Sequence, residues 1–184
     1  MIYLEAYHFI SDYNKKEIEN LNKKIIIIYR NYESPVIEEV LIKIKKECQK
    51  SGKRIFLSNN MKLAIKLNFD GVYIPAFNKS FNINFKAKKD FKKIGSAHSL
   101  SEIRIKEKQG VGTIFLSPLF KTNKNSNFLD IKRFNLLSKF TEKKVVALGG
   151  INEKNIKRIK LVNCDGYASI TYLKQKKRLN DIRK

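Results

Sequence analysis

The stretch VVALGGI, residues 145–151, decides how the fold is interpreted. Its first four residues are apolar and predict a strand, because a short apolar run bounded by turn residues is typical of strands buried on both faces. Gly149 and Gly150 then allow the backbone to turn sharply and to approach a ligand closely. Asn152 stands at an N-cap position and predicts a helix over residues 152–161. A strand, a glycine pair and a helix start together present free backbone N–H groups to an anion, commonly a phosphate.

The same alternation of an apolar strand and a helix runs through the rest of the sequence. The clearest further strand is KIIIIYR, whose continuous β-branched residues indicate burial on both faces. Strands are predicted at residues 5–10, 24–30, 54–57, 71–74, 93–97, 113–117, 145–148 and 167–171. Helices are predicted at residues 15–21, 34–52, 61–67, 100–109, 129–140, 152–161 and 173–184, the last of them strongly basic.

Regular alternation of strands and helices predicts an α/β protein with a parallel sheet. Eight such units predict a closed (β/α)8 barrel, the TIM barrel. The chain has 184 residues, fewer than the roughly 200 residues at the lower end of this class. We therefore expect a compact barrel with trimmed loops that forms a single domain over residues 1–184. The alternative, an open doubly wound sheet, is less favoured because HFISDYNKKE, at the first strand–helix turn, contains no glycine and lacks the dinucleotide fingerprint.

The formal net charge of +22 points first to a nucleic-acid or anionic membrane partner. Only seven of the 39 basic residues are arginines, whereas proteins that read base edges favour the planar guanidinium. Because the lysines are spread along the whole chain, we interpret the charge mainly as compositional bias on solvated surfaces. Nucleic-acid binding stays a less favoured alternative, chiefly through residues 174–184.

Other features of the sequence bear on the cellular setting. The sequence contains no run of eighteen apolar residues and therefore predicts no membrane span. The start MIYLEAYHF lacks a basic segment and a cleavage site, so we expect no signal peptide. Cys48 and Cys164 fall in no metal-binding spacing, which fits a reduced, cytoplasmic protein. A homo-oligomer is compatible with the sequence but is not indicated by it.

Chemistry in a (β/α)8 barrel takes place at the carboxyl ends of the strands. In this chain the predicted ends carry hydroxyls, amides, one arginine and one histidine, and no carboxylate. The loops after the seventh and eighth strands often hold phosphate in such barrels. Here they contain Gly149, Gly150, Ile170 and Thr171. The residue pattern alone thus predicts a phosphate-binding barrel with a mostly neutral, hydrogen-bonding mouth.

Four short segments, in the same order along the chain, resemble the thiamine phosphate synthase family and its relatives, the TenI-type thiazole tautomerases. FDGVYIP (residues 69–75) is similar to A-D-G-V-H-L-G, and SAHSLSEI (residues 96–103) is similar to S-x-H-S-x-x-E. IFLSPLFKT (residues 114–122) is similar to G-P-V-F-x-T, and VALGGI with CDGYASITYL is similar to the end of the family's sequence. The resemblance extends from about the second strand to the last, marks a divergent member and implies a barrel.

The resemblance implies a transferase of thiamine biosynthesis that joins hydroxymethylpyrimidine pyrophosphate to thiazole phosphate. The pyrophosphate would ionise, and the thiazole nitrogen would capture the resulting cation. The resemblance further implies that Gly149, Gly150 and the backbone around Ile170 and Thr171 hold the thiazole phosphate. It also implies substrate contacts from Arg30, Asn59 and Thr122, and catalytic roles for Ser96, His98 and Lys124.

The chain departs from the family's pattern where the metal would bind. Pyrophosphate departure needs positive charge, which the family normally supplies as Mg²⁺ together with basic side chains. The two aspartates of that site correspond here to Asn59 and Asn78, and neutral amides are poor substitutes for the carboxylates that Mg²⁺ prefers. Mg²⁺ is thus weakly supported, and we assign no metal ligand. Of the family's Gln-x-Arg-x-Lys segment only Arg30 is retained, and Lys124 stands one position early in its loop.

Two interpretations of the site stay open, and the synthase is the favoured one. In the other, a thiazole tautomerase or another phosphate-ligand-binding barrel uses His98 as a proton-transfer base, a role that suits imidazole near neutral pH. A purely structural, hydrogen-bonding histidine would fit the sequence equally well. For Arg30, the position at a strand end favours phosphate binding over a surface ion pair. The remaining tyrosine and phenylalanine residues are interpreted as core.

Overall fold

The computed structural model describes residues 4–82, 86–123, 126–170 and 172–173. Its strands are β1 (Glu5–Ile10), β2 (Ile26–Tyr29), β3 (Ile55–Ser58), β4 (Gly71–Ile74), β5 (Lys92–Ala97), β6 (Thr113–Leu116), β7 (Lys144–Leu148) and β8 (Gly166–Ser169). Its helices are α1 (Lys15–Asn20), α2 (Glu38–Lys50), α3 (Met61–Lys66), α4 (Leu100–Lys108) and α5 (Asp130–Ser138), and a 3₁₀ helix (Ile156–Leu161) precedes β8. Among these described helices, none has the length and apolar character needed to cross a bilayer.

The eight strands form a closed parallel barrel. Each strand pairs with its sequence neighbours, and β8 pairs with β1, with Tyr7 opposite Ala168. This closure confirms the predicted (β/α)8 TIM barrel and excludes the open doubly wound sheet. The strands predicted at residues 5–10 and 71–74 have the predicted bounds. The assignment of residues 1–184 to a single domain stays a prediction.

The strands are apolar on both sides because the barrel has two hydrophobic cores. Residues at alternate strand positions fill the barrel interior: Tyr7, Phe9, Ile26, Ile28, Phe56, Tyr73, Ile94, Phe115, Val146 and Ala168. The residues between them face outward and pack with the helices, as Ile27 and Ile55 do together with Ile44 of α2. A strand buried on both faces cannot show a polar alternation, which explains the continuous apolar runs in the sequence.

The prediction of an α-helix over residues 152–161 is wrong both about the residue at which the helix begins and about the type of helix. Asn152 does not cap an α-helix, because its side chain closes a turn. The Oδ1 atom accepts from the Lys154 N–H at 2.9 Å, and the Nδ2 atom donates to the Gly150 carbonyl at 3.1 Å. Helical structure begins only at Ile156, as a 3₁₀ helix. The predicted helix over residues 173–184 lies outside the described residues except for its first one.

The interior core is built around Phe115. Its ring lies edge-on to those of Tyr7, Tyr73 and Phe9, with centroid separations of 4.9, 5.4 and 6.4 Å. Such edge-to-face contacts add to the hydrophobic stabilisation that buried aromatic rings already provide. This layer closes the barrel below the cavity described next.

We expect Phe115→Ala to lower the free energy of unfolding by about 3–5 kcal/mol, because the closed barrel cannot collapse into the space left behind. Urea denaturation followed by circular dichroism measures the change. The matched control is Phe81→Ala, since Phe81 is 56% exposed, and its cost should stay below about 0.5 kcal/mol. Equal losses in the two variants would contradict the packing role of Phe115.

Candidate active site

The candidate site lies where the inward-facing positions of the strands reach the open end of the barrel. Arg30 and Ser96 each lie two residues beyond an interior residue, Ile28 and Ile94 respectively, and therefore point to the same face. They border a cavity of about 490 Å³ at the carboxyl ends of the strands. Its other walls include Tyr32, Tyr73, Phe77, Lys79, His98, Glu102, Ser117 and Leu148.

Arg30 brings a cation to the cavity wall. Its guanidinium carbon lies 4.6 Å from the centre of the Phe9 ring, in the geometry of a cation–π contact. Its backbone N–H donates to the Ile10 carbonyl at 2.8 Å. Within the described part of the chain, no carboxylate forms an ion pair with Arg30. The surface ion pair that would give Arg30 a purely structural role is therefore missing there, and the guanidinium can bind an anion.

Ser96 is buried and shapes the loop that follows β4. Its Oγ atom accepts a hydrogen bond from the Ala76 N–H at 3.0 Å. Burial raises the pKa of the neighbouring Tyr73 to about 12, and a hydrogen bond with Ser96 acts in the opposite direction. Tyr73 is thus a neutral phenol at physiological pH, and together with Ser96 it forms a hydroxyl-bearing floor of the cavity.

His98 is exposed at the cavity, and its ring orientation is fixed. The Nδ1 atom lies 2.7 Å from the Ser117 carbonyl oxygen and 3.1 Å from the Ser117 Oγ atom. A carbonyl can only accept, so Nδ1 carries the proton and donates it. In the neutral ring the Nε2 atom then holds the free lone pair, and no described residue forms a hydrogen bond with it. This arrangement suits a proton acceptor.

A carboxylate reaches the cavity from a helix rather than from a strand end. Glu102, in the first turn of α4, accepts a hydrogen bond from the His98 N–H at 2.6 Å. Ser99 caps the same helix by accepting from the Glu102 N–H at 3.3 Å. The expectation of a mouth without carboxylates, read from the strand ends alone, is therefore incomplete. Glu102 also anchors the backbone on which His98 is carried.

The two residues at the family's metal positions contact each other. The Asn78 Nδ2 atom donates to the Asn59 Oδ1 atom at 2.7 Å, so each amide already has a partner. Among the described residues, no cluster of three or more His, Cys, Asp or Glu side chains could hold a metal ion. Mg²⁺ requires hard, usually anionic oxygen ligands. The neutral amide pair does not fit it.

The glycine pair has a packing role that the sequence did not reveal. Gly149 and Gly150 have φ values of +95° and +70°, a region that side-chain-bearing residues rarely adopt. The Phe120 N–H donates to the Gly149 carbonyl at 3.1 Å, and the Leu119 N–H donates to the Leu148 carbonyl at 2.8 Å. The pair therefore lies against the loop after β6. Its predicted contact with phosphate stays a prediction.

The remaining predicted residues lie around the same end of the barrel or outside the described residues. Pairing of Leu148 with Ala168 brings the glycine pair next to the end of β8, where Ile170 is 48% exposed. Thr122 lies in the loop after β6, which packs on Gly150. Lys124 and Thr171 are outside the described residues, so their roles stay predictions.

Two aromatic residues of the site were missed because tyrosine and phenylalanine were interpreted as core. Tyr32 and Phe77 are 50% and 63% exposed, and their rings meet edge-on with centroids 5.5 Å apart. The Tyr32 hydroxyl forms a 2.6 Å hydrogen bond with the Ser58 Oγ atom. Their positions just after β2 and β4, at strand ends, are the signal that could have identified them. Exposed rings at a cavity mouth are suited to contact a planar ligand.

We expect Gly150→Ala to destabilise the protein by about 1–3 kcal/mol, through steric overlap combined with left-handed backbone strain. An added Cβ would lie 2.5 Å from the Phe120 carbonyl oxygen and 2.6 Å from that of Lys121. The control is Gly112→Ala, where the nearest atom is 3.9 Å away, and its effect should stay within about 0.5 kcal/mol. Urea denaturation compares them, and a fully stable Gly150→Ala would contradict the packing role.

The sequence is similar to one protein family and to several known proteins. The family model described as thiamine monophosphate synthase matches residues 14–173. A putative thiamine-phosphate synthase 2 of Aquifex aeolicus is 27% identical over 146 residues, covering 76% of this chain and 78% of that protein. A thiamine-phosphate synthase of Clostridium tetani is 26% identical over 145 residues, covering 77% and 69%.

Among solved structures, the thiamine phosphate pyrophosphorylase of Pyrococcus furiosus superposes with a TM-score of 0.79 at 18% identity. The match covers 97% of this chain and 95% of that one. At this identity the likeness shows a shared fold, in agreement with the closed barrel. The family model matches most of the chain, and this match confirms the family resemblance that the sequence motifs indicated. This chain therefore belongs to the thiamine monophosphate synthase family, a family of transferases.

Proposed function

We propose that this protein joins hydroxymethylpyrimidine pyrophosphate to thiazole phosphate, and that basic side chains supply the positive charge that Mg²⁺ normally provides. The cavity at the carboxyl ends of the strands carries this proposal, because it combines an arginine without an ion-pair partner among the described residues with hydroxyls and exposed aromatic rings. Its volume of about 490 Å³ lies within the range of small-molecule sites.

In this reaction the main task of the protein is to stabilise the departing pyrophosphate anion. The bond between the pyrimidine methylene carbon and the pyrophosphate oxygen breaks, and its electron pair leaves with the pyrophosphate. The thiazole nitrogen then donates its lone pair to the methylene cation and forms the new C–N bond. Cations placed where negative charge develops lower the barrier of the first step. The guanidinium of Arg30 can bind two phosphate oxygens at once.

Lys79 is the second cation at the cavity. It is exposed and lies next to Asn78 on the loop after β4. A lysine on a flexible stem binds phosphate as a point charge, without the directional demands of a metal site. We assign to contact with the pyrimidine ring the aromatic side chains of Tyr32 and Phe77, which meet edge-on at the cavity. Together these residues supply charge and orientation without using the amide pair as a metal site.

We expect wild-type protein to form thiamine phosphate in the presence of EDTA, with Mg²⁺ raising the rate by less than about tenfold. The double variant Asn59→Asp with Asn78→Asp should show a larger stimulation by Mg²⁺, because it provides carboxylate ligands. Product formation from the two substrates, followed by chromatography, measures both.

The control for added negative charge is Asn20→Asp with Asn68→Asp, at two exposed positions on α1 and after α3. This variant should keep the wild-type response to Mg²⁺. Absence of turnover under every condition would overturn the synthase proposal. Turnover that depends entirely on Mg²⁺ in the wild type would overturn the replacement of the metal by side chains.

The geometry of His98 favours a second candidate function, the tautomerisation of a thiazole carboxylate phosphate. In that reaction a proton is removed from one position of the substrate and returned at another, so no oxidant or leaving group is needed. The bond from Nδ1 to the Ser117 carbonyl leaves Nε2 available to carry the proton. This observation is independent of the cations at the other wall.

If this second function holds, His98→Gln should lower tautomer conversion by about 100-fold or more, the usual contribution of a general base. The matched control is Ser117→Ala, which removes the 3.1 Å hydroxyl contact but keeps the carbonyl that fixes the ring. Its loss should be much smaller. Conversion that survives in His98→Gln, or that is absent in the wild type, would exclude His98 as this base.

A further inference from the structure

A buried lysine lies behind the cavity and has no part in the chemistry described so far. Lys106 of α4 has no exposed surface. Its Nζ atom donates three hydrogen bonds of 2.8 Å, to the Pro75 carbonyl, the Asn78 carbonyl and the Gln109 Oε1 atom. An ammonium group has three hydrogens, so all of its donors are used. The site is built for the charged form of the side chain.

Gln109 completes the arrangement from the end of the same helix. Its Nε2 atom donates to the Asn78 carbonyl and to the Ser80 carbonyl, each at 2.9 Å. The Asn78 carbonyl therefore accepts from both side chains. We call Lys106 and Gln109 the α4 clamp. The clamp binds the backbone of residues 75–80 at three points along a stretch without regular secondary structure.

A glycine on the neighbouring strand leaves space for the Lys106 side chain, and burial of its charge costs desolvation free energy. Gly95 of β5 lies beside the aliphatic part of Lys106, and an added Cβ there would come within 3.2 Å of the lysine Cδ atom. Burial lowers the pKa of Lys106 to about 8, while the charge of Glu102 acts in the opposite direction. A buried charge is retained only where strong contacts compensate its desolvation. Here the compensating contacts are the hydrogen bonds from the ammonium group to the Gln109 side chain and to the Pro75 and Asn78 carbonyls.

The clamped segment forms one wall of the cavity. Phe77 and Lys79 line the cavity, and Asn78, which lies between them in the sequence, donates to Asn59. Phe77 also meets the ring of Tyr32. The side chains that we assign to pyrimidine and pyrophosphate binding on this wall therefore depend on the shape of residues 75–80.

We propose that Lys106 and Gln109 are positioning residues that hold residues 75–80 in the shape required to bind the pyrimidine pyrophosphate. The activity part of this inference rests on the proposed function, whereas its structural part does not. Neither side chain touches the cavity, so both act through the loop backbone. The clamp binds main-chain carbonyls, so it fixes the path of this backbone whichever side chains the loop carries.

The test compares Lys106→Met with Lys108→Met, an equal substitution at an exposed position of the same helix. Hydrogen–deuterium exchange reads the amides of Ala76, Asn78 and Ser80, whose hydrogen bonds stay within this loop or reach Ser96. We expect exchange there to be about tenfold faster or more in Lys106→Met, because two charged hydrogen bonds to the loop backbone are lost, with no change in β6 and β7. Lys108→Met should match the wild type.

Steady-state kinetics supplies the second readout. The KM for the pyrimidine pyrophosphate should rise about tenfold in Lys106→Met, whereas the KM for thiazole phosphate should stay unchanged. If Lys106→Met fails to fold, Gln109→Met serves instead: it removes two donors to the loop and one acceptor of the ammonium, which keeps its bonds to the Pro75 and Asn78 carbonyls. The same pattern of exchange and kinetics is expected from it.

The outcomes separate this inference from the proposed function. Inactive wild-type protein with faster loop exchange in the variants would overturn the synthase proposal and support the clamp. Unchanged exchange in residues 75–80 would overturn the clamp, whatever the activity. A uniform rise of exchange over the whole chain would also overturn it, because Lys106 would then contribute only to global stability.

Discussion

The parallel pairing of β8 with β1 is the constraint on which the rest of the structure depends. Once the sheet is closed, alternate strand residues are confined to a narrow interior that rings such as Phe115 and Tyr73 occupy. The next inward positions, Arg30 and Ser96 among them, lie above this layer and border the cavity. Closure thus produces both the core and the cavity, and it explains why a chain with few strand-end charges still gathers its polar groups at one place.

The fold was predictable because closure imposes the same demand on every strand, burial on both faces. Runs such as IIIY and IFLS are apolar at nearly every position, as burial on both faces requires. They can therefore be identified as strands without knowing which strands pair with them. The segment after β7 follows no such demand. There the side chain of Asn152 could cap a helix or close a turn. In the structure it donates a hydrogen bond to the Gly150 carbonyl and closes the turn. Gly150, whose carbonyl accepts this bond, has a positive φ and lies against the carbonyls of Phe120 and Lys121.

The site was predictable only where it lies at strand ends. Arg30 and His98 directly follow β2 and β5, Ser96 lies near the end of β5, and all three border the cavity. The barrel pattern indicated their place at strand ends, the family resemblance implied their roles, and those roles stay predictions. Glu102 reaches the cavity from α4, and Lys106 of the same helix binds the backbone of the cavity wall. Sequence alone does not show which face of a helix approaches the barrel end. A signal existed for Lys106, because it lies three residues after the buried Ile103 and so falls on the buried side of α4. A charged residue on an apolar helix face indicates a specific partner, here two backbone carbonyls and an amide.

The replacement of carboxylates by amides changes what this end of the barrel can hold. Two aspartates facing each other would repel and would need a cation between them, whereas Asn59 and Asn78 satisfy each other through one hydrogen bond. The backbone of Asn78 is at the same time held from behind by the buried ammonium of Lys106. A positive charge is therefore present close to the position where the family places its metal, but it belongs to the chain and faces the loop backbone. In the synthase that we propose, this charge shapes the wall that would receive the pyrophosphate, and the direct contacts to that group are assigned to Arg30 and Lys79.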